Sequence, residues 1–407
     1  MRRLASFLLV SLFLVVSAGA GAAGPKAYVG NFSDNTVSVV DLAAGAVVAT
    51  IPVSAGPHGM AVAPDARTVY ITGDGSSNLD AIDTAANRVR RTIEIGKSPH
   101  GLAMTPDGKT LLAAIYGEDK IAFIDVATLA PVGGVSLAKP HTIAIRPDGA
   151  VAYVASQEPG RFALVVIDLA TRKVARSVAL DKPPRDLEFG FDGKALYFTL
   201  AGVNGVQVLD PATDRIVTQI PTGASPHIAG VYRGAPAGTA VVQGPGELLL
   251  FDPATNSPLR SIAVGKQPHW IAVANSGKTA VVTNEGSNDM TIVDLATGST
   301  RAVAVGKAPR KVVVTPDIAA TSANPGQIAI ANFAFSPAEI TVMRGTQVTW
   351  TNNDAAPHGL THKDGAPGKG VLLPGEAVSR VYDAPGTFDY VCSVHPYMTG
   401  RVVVTGP

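Results

Sequence analysis

The chain has 407 residues, with 33 Lys and Arg against 32 Asp and Glu, for a net charge of +1. A balance this even, with no long run of either sign, leaves no electrostatic footprint for nucleic acid or an anionic membrane surface. Charged residues make up only 16%, Gly and Pro are abundant, and no long stretch repeats every 3.6 residues, so the expected class is all-β.

The N-terminus reads Met1-Arg2-Arg3, then an apolar run from Leu4 to Val16, then the small residues 17–23. A charged start, a short apolar run and a small-residue cleavage region predict a secretory signal peptide over residues 1–23, and hence export to the periplasm. The run is too short to cross a bilayer and no other stretch approaches that length, so no membrane span is expected.

A repeat then dominates the chain. Pro57-His58-Gly59-Met60-Ala61 recurs at Pro99-His100, Pro140-His141, Pro184-Arg185, Pro226-His227, Pro268-His269 and Pro309-Arg310, in steps of 42, 41, 44, 42, 42 and 41 residues. A period near 42 is that of a four-stranded propeller blade. After each such start comes a Pro-Asp-Gly-like turn (Thr105-Pro106-Asp107-Gly108), a strand (Leu111 to Ile115), a strand ending in Asp (Ile121 to Asp125) and a fourth strand (Pro131 to Leu137). The Asp residues at the third-strand ends (Asp41, Asp83, Asp125, Asp168, Asp210, Asp252, Asp294) read as turn formers rather than catalytic acids. The first outer triplet, Lys26 to Val53, has no inner strand before it, and the last inner strand, Lys311 to Thr315, has no triplet after it. Pairing the two ends gives a closed ring of seven blades over residues 26–316, one of them composite. The pattern resembles the Tyr-Val-Thr-Asn family of propeller repeats, approximated by Ala280-Val281-Val282-Thr283-Asn284. That likeness bears on fold, because propellers host many unrelated activities.

Five of the eight histidines (His58, His100, His141, His227, His269) share one repeat position, which Arg185 and Arg310 fill in the other two blades. In propellers the residue leading into the innermost strand lies near the central channel, so these seven should circle one channel mouth. Neutral imidazoles could hold additional copper there, and the guanidiniums suit an oxyanion. Equally, Pro-His could belong to the structural consensus of the repeat. The linker over residues 317–327 reaches at most about 35 Å. It should leave from the face opposite the ring, so a C-terminal domain would serve the ring of a head-to-tail homodimer partner more readily than its own.

The remaining residues, 328–407, contain the only cysteine, Cys392, which can have no disulfide partner within the chain. His395 and Met398 follow it and His358 precedes it, a thiolate, two imidazoles and a thioether that together form the donor set of a type 1 copper site. Here the sequence resembles the cupredoxins, amicyanin most closely. The likeness is carried by Phe335-Ser336-Pro337-Ala338-Glu339-Ile340-Thr341-Val342, Val348-Thr349-Trp350-Thr351-Asn352, Pro357-His358 and the loop Cys392-Ser393-Val394-His395-Pro396-Tyr397-Met398. The resemblance implies a β-sandwich binding one copper through His358, Cys392, His395 and Met398. It also implies that Asn352 orders the loop around the thiolate, and that electrons leave through the edge of His395 beside Ala356, Pro357 and Pro396. His362 has no place in the pattern and reads as an exposed loop residue.

Val391, rather than His, precedes the cysteine, which argues against multicopper oxidases and copper nitrite reductases, and no Cys-x-x-Cys-His offers a haem site. The layout of propeller then cupredoxin also resembles nitrous oxide reductase, but that family's cupredoxin uses two cysteines. Two functions stay open. One is an electron-transfer protein with a periplasmic redox partner protein and the propeller as docking scaffold. The other is a copper-dependent reductase of a small nitrogen oxide whose propeller ring is the substrate or metal site.

Overall fold

A computed structural model describes residues 25–274, 277–315, 326–331 and 333–405. The expected signal peptide, and all of the expected linker except its last two residues, lie outside the described residues.

Among the described residues the first part of the chain forms seven four-stranded antiparallel sheets. A representative blade runs from the inner strand Pro57–Val62 through Thr68–Gly73 and Asn78–Asp83 to the outer strand Arg88–Glu94. Ring closure follows the expected composite: Pro309–Val314 pairs antiparallel with Lys26–Asn31, with Val312 opposite Val29. The amide of Phe32 adds a bond to the carbonyl of Ala308 at 3.0 Å. This joins the two ends of the propeller through ordinary ladder bonds.

Burial follows the sequence. Second strands such as Thr110–Ile115 are continuous apolar runs because neighbouring blades cover both of their faces. One core cluster, for instance, joins Tyr70, Leu79 and Ala81 to Leu111, Ala113 and Ile115 of the next blade. Outer strands are exposed and carry charge, as in Arg88–Glu94, which discourages edge pairing. Each of the seven third-strand Asp residues accepts a backbone N–H two or three residues ahead, for example from Ala86 to Asp83 at 2.9 Å. They are the turn formers their position suggested.

The C-terminal part is a sandwich of two sheets. One has the order Ala334–Ser336, Gln327–Ala331, Gln347–Asn352, Ala377–Val381. The other has the order Glu339–Met343, Thr399–Thr405, Gly386–Val391, His358–His362, Lys369–Leu372. Trp350 is wholly buried, its ring edge-on to Tyr390 at 5.1 Å and to His362 at 5.4 Å. The expectation for His362 was therefore wrong. It closes a strand on the inward face, in register with Leu360 and His358, and is buried rather than exposed.

Candidate metal centre

Two strands and one loop build the centre. Strand Gly386–Val391 delivers Cys392, and the following loop folds back at once: the amide of Cys392 donates to the carbonyl of Met398 at 3.0 Å, and that of Met398 to His395 at 2.9 Å. His358 opens the antiparallel neighbouring strand, in which Thr361 faces Val391. Cys392 Sγ lies 3.7 Å from His358 Nδ1 and 3.8 Å from His395 Nδ1, and the two nitrogens are 3.2 Å apart. A trigonal ion with bonds of about 2.0 Å to nitrogen and 2.3 Å to sulfur needs edges of roughly 3.5 and 3.7 Å. The triangle fits one first-row transition-metal ion. Met398 is buried in the same core cluster as Cys392.

The thiolate is prepared electrostatically. Burial works to raise the Cys392 pKa, but the hydrogen bond with His358 and the amides of Gly359 and His395, each 3.3 Å from sulfur, hold it below its ordinary value. Gly359 permits that approach because a Cβ there would run into Ser393 and the carbonyl of Gly370. Burial also depresses His395, aided by the charge of His358. At His358 burial is outweighed by the Asp354 and Cys392 contacts, and its pKa rises to about 9.

Three neighbours carry no obvious sequence signal. Asp354 is buried and its Oδ2 lies 2.8 Å from His358 Nε2, fixing the outer nitrogen so that Nδ1 faces the centre. Phe333 sets its ring edge-on to His358 at 5.3 Å and to His395 at 4.9 Å. Arg233, from the propeller, reaches both: its Nε is 3.5 Å from Asp354 Oδ1, and its guanidinium lies 4.9 Å from the centroid of Phe333. Asn352 acts at a different place from the one expected. Its amide donates to the carbonyls of Ala356 and Leu372, each at 2.9 Å, and its oxygen accepts from the amide of Asp354. It braces the segment leading to His358 rather than the thiolate loop. His395 itself is half-buried, and Pro357, Val394 and Pro396 around it are exposed.

Of the seven repeat positions, the five histidines come together as a chain of neighbouring rings. Register shifts fall on the ring residue in every blade, as between Pro57 and Met60, Pro99 and Leu102, or Pro140 and Ile143. Such a bulge turns the side chain out of the ladder and towards the axis. Threonines of the preceding blade hold the ring carbonyls, as Thr72 does that of His100 at 2.7 Å and Thr199 that of His227 at 2.6 Å. The imidazoles then pack against one another: centroids are 3.8 Å apart for the stacked pair His58 and His100, and 4.1 Å and 4.0 Å for the tilted pairs His100 with His141 and His227 with His269. The arginines leave the ring, Arg185 for the hydroxyl of Ser225 and Arg310 for Glu285 and the face of Phe32. Among the described residues, only His358, Cys392 and His395 bring three donor atoms within 4.8 Å of one another.

The ring and the metal centre sit at opposite ends of the channel. His227 lies at the start of the inner strand Pro226–Gly230, and Arg233 lies in the turn beyond the far end of that strand. At its end of the channel a cleft is lined by Glu188, Tyr232 and Arg233 of the propeller together with Phe333.

Comparison with known proteins agrees with both halves. A YNCE-like beta-propeller family matches residues 15–107, and the cupredoxin-like domain family matches residues 307–404. Amicyanin-alpha of Methylorubrum extorquens is 40% identical over 84 residues, 19% of this chain and 70% of that protein. Amicyanin of Paracoccus denitrificans is 39% identical over 80 residues, 18% of this chain and 61% of that protein. Plastocyanin of Tetradesmus obliquus is 34% identical over 83 residues, 17% of this chain and 57% of that protein. Among solved structures, a chain of Kuenenia stuttgartiensis hydrazine synthase aligns with TM-score 0.61 at 19% identity, covering 70% of this chain and 99% of that one. A functionally unknown protein from Desulfotomaculum acetoxidans aligns with TM-score 0.62 at 13% identity, covering 72% and 99%. At these identities the structural likeness is one of fold.

Proposed function

Because the chain belongs to the cupredoxin family through residues 307–404, we propose that it is a periplasmic electron-transfer protein with one type 1 copper held by His358, Cys392, His395 and Met398, and with the propeller as its docking scaffold. The observation that carries this reading is the donor triangle of Cys392, His358 and His395, formed by side chains already fixed by strand ends and loop bonds. Copper in such a site supplies one-electron exchange at little structural cost. The chain supplies the rest. Asp354 orients His358, the amides of Gly359 and His395 stabilise sulfur as thiolate, and the buried position of Cys392 keeps water away. The half-buried edge of His395, beside exposed Pro396 and Val394, is the natural exit for an electron to a redox partner protein that docks briefly over a small area.

Export rests on the N-terminal segment over residues 1–23. A reductase fed within one chain is disfavoured because the ring lies at the start of the inner strands and the metal centre beyond their far ends. The test is copper content and visible absorption of the loaded chain, for wild type and Cys392→Ser. One copper per chain with intense blue absorption, both lost in the variant, is the expected result. A colourless wild type, or copper fully retained by Cys392→Ser, would overturn the proposal.

A further inference from the structure

We propose that Arg233 is a positioning residue for the metal centre, through which the propeller sets the electronic character of a site carried on the other domain. The inference rests on the copper reading above and adds a residue from outside the cupredoxin fold. Arg233 follows the inner strand Pro226–Gly230 and is held over Phe191, 5.2 Å from its centroid. From there it makes two contacts across the domain junction, one leading through Asp354 to His358 and the other through Phe333 to His358 and His395. Its Nε faces Asp354 Oδ1 at 3.5 Å, while Asp354 Oδ2 binds His358 Nε2 at 2.8 Å and accepts the amide of Phe333 at 2.9 Å. Its guanidinium also covers Phe333, whose ring edge touches His358 and His395.

The Asp354 side chain is 1% exposed and that of Arg233 15%, so their charges interact with little screening by water. A carboxylate on the outer N–H of a ligand imidazole makes that imidazole a stronger donor. A guanidinium on the far oxygen draws charge away from that bond and weakens the effect. Arg233 therefore opposes Asp354. With both present the reduced form is favoured relative to a centre that has Asp354 alone. A simple staple between domains would hold the junction together but leave the donor strength of His358 unchanged.

The experiment uses the full chain in two forms. In the copper-loaded form, the redox equilibrium with a mediator is measured for wild type, Arg233→Met, Arg233→Lys, Asp354→Asn and the double variant Arg233→Met with Asp354→Asn. Expected are a severalfold shift towards the oxidised form in Arg233→Met, partial recovery in Arg233→Lys, and a shift towards the reduced form in Asp354→Asn. The effect of Arg233→Met should largely vanish in the Asp354→Asn background, since the two act along one path. In the copper-free form, histidine-labelled protein is followed by NMR, and Arg233→Met should move the His358 Nε2–H resonance but not that of His362. A full set of blue centres with an unchanged equilibrium in Arg233→Met, or equal shifts with and without Asp354, would overturn the role of Arg233. A chain that never forms a blue centre would instead overturn the copper reading. The copper-free resonance then decides on the contact itself, and an unmoved signal would sink it.

Discussion

Asp186 and His227, on adjacent inner strands, bring a carboxylate oxygen within 2.7 Å of Nδ1 at the channel mouth, where Asp186 is fully buried. The contact is short but poorly aligned for a hydrogen bond, so it acts chiefly through charge. Burial alone would push the Asp186 pKa up, but His227 first, with His141 and Lys311 behind it, brings it below the ordinary value. The imidazole ring is thereby anchored to a carboxylate inside the channel.

Removing that carboxylate should be costly. Asp186→Ala removes one of the two carboxylates that face the buried ammonium of Lys311, a loss of up to about 3 kcal/mol. Asp186→Asn keeps the shape and some hydrogen-bonding capacity and should cost less. Urea unfolding of the full chain, followed through the propeller transition, checks both. Equal and small losses in the two variants would show that the ring stands without its anchor.

Acid should unfold the propeller through the same ring. Burial, then neighbouring histidines, hold His58 and His269 well below 6.5, and burial followed by His100 takes His141 to about 3. In the unfolded chain these imidazoles take up protons near pH 6.5, whereas in the folded chain they do not. Stability is therefore fully present above pH 6.5 and is lost as pH falls below it, by ~1.4 kcal/mol per pH unit for each histidine and about 4 for the three. The slope continues downward until the folded pKa values are reached. Denaturation midpoints measured from pH 8 to pH 4 should show the break, and His58→Asn should flatten it. Stability that is constant down to pH 5 would contradict the buried, neutral ring.

The repeat made the propeller legible because each blade restates the same Pro-His start, and an unpaired triplet at one end matched an unpaired inner strand at the other. The three donors His358, Cys392 and His395 were legible for a different reason, since their chemistry is rare and their spacing short. Asp354, Phe333 and Arg233 were not. Each acts through a contact that has no period and no motif, and Arg233 meets Asp354 from 121 positions away. The bulges that aim the ring side chains are likewise a property of strand pairing, which composition does not record. His362 shows a signal that was present but unused: His358, Leu360 and His362 alternate, and that period of two places all three on the buried face.

Gly359→Ala should damage the metal centre without touching a ligand. The new Cβ would collide with Ser393 and with the backbone of Gly370, and only the side chain can move aside. The strand must shift, which costs ~1–3 kcal/mol for overpacking and draws the Gly359 amide away from sulfur. Weaker copper retention against a chelator, with a shifted blue absorption band, is the expected outcome. Adding Ser393→Ala should relieve only part of the loss. Unchanged retention in Gly359→Ala would mean that the amide contributes nothing to holding the thiolate.

His362 separates a structural histidine from a ligand only four residues away. Its ring packs edge-on to Trp350 at 5.4 Å and lies 6.3 Å from Tyr390, and both of these aromatics are wholly buried. Burial, with Arg380 nearby, keeps its pKa low, so it packs as a neutral ring. His362→Ala leaves a cavity beside Trp350 and should destabilise the C-terminal domain by about 2–4 kcal/mol, the range for losing a buried side chain of this size. His362→Phe refills the space and should restore most of that stability. Copper content should remain one per chain in both variants, whereas His358→Ala should lose it even where the domain stays folded. Calorimetry and elemental analysis on the three proteins separate the roles. Loss of copper in a stably folded His362→Phe would place His362 at the metal instead of in the core.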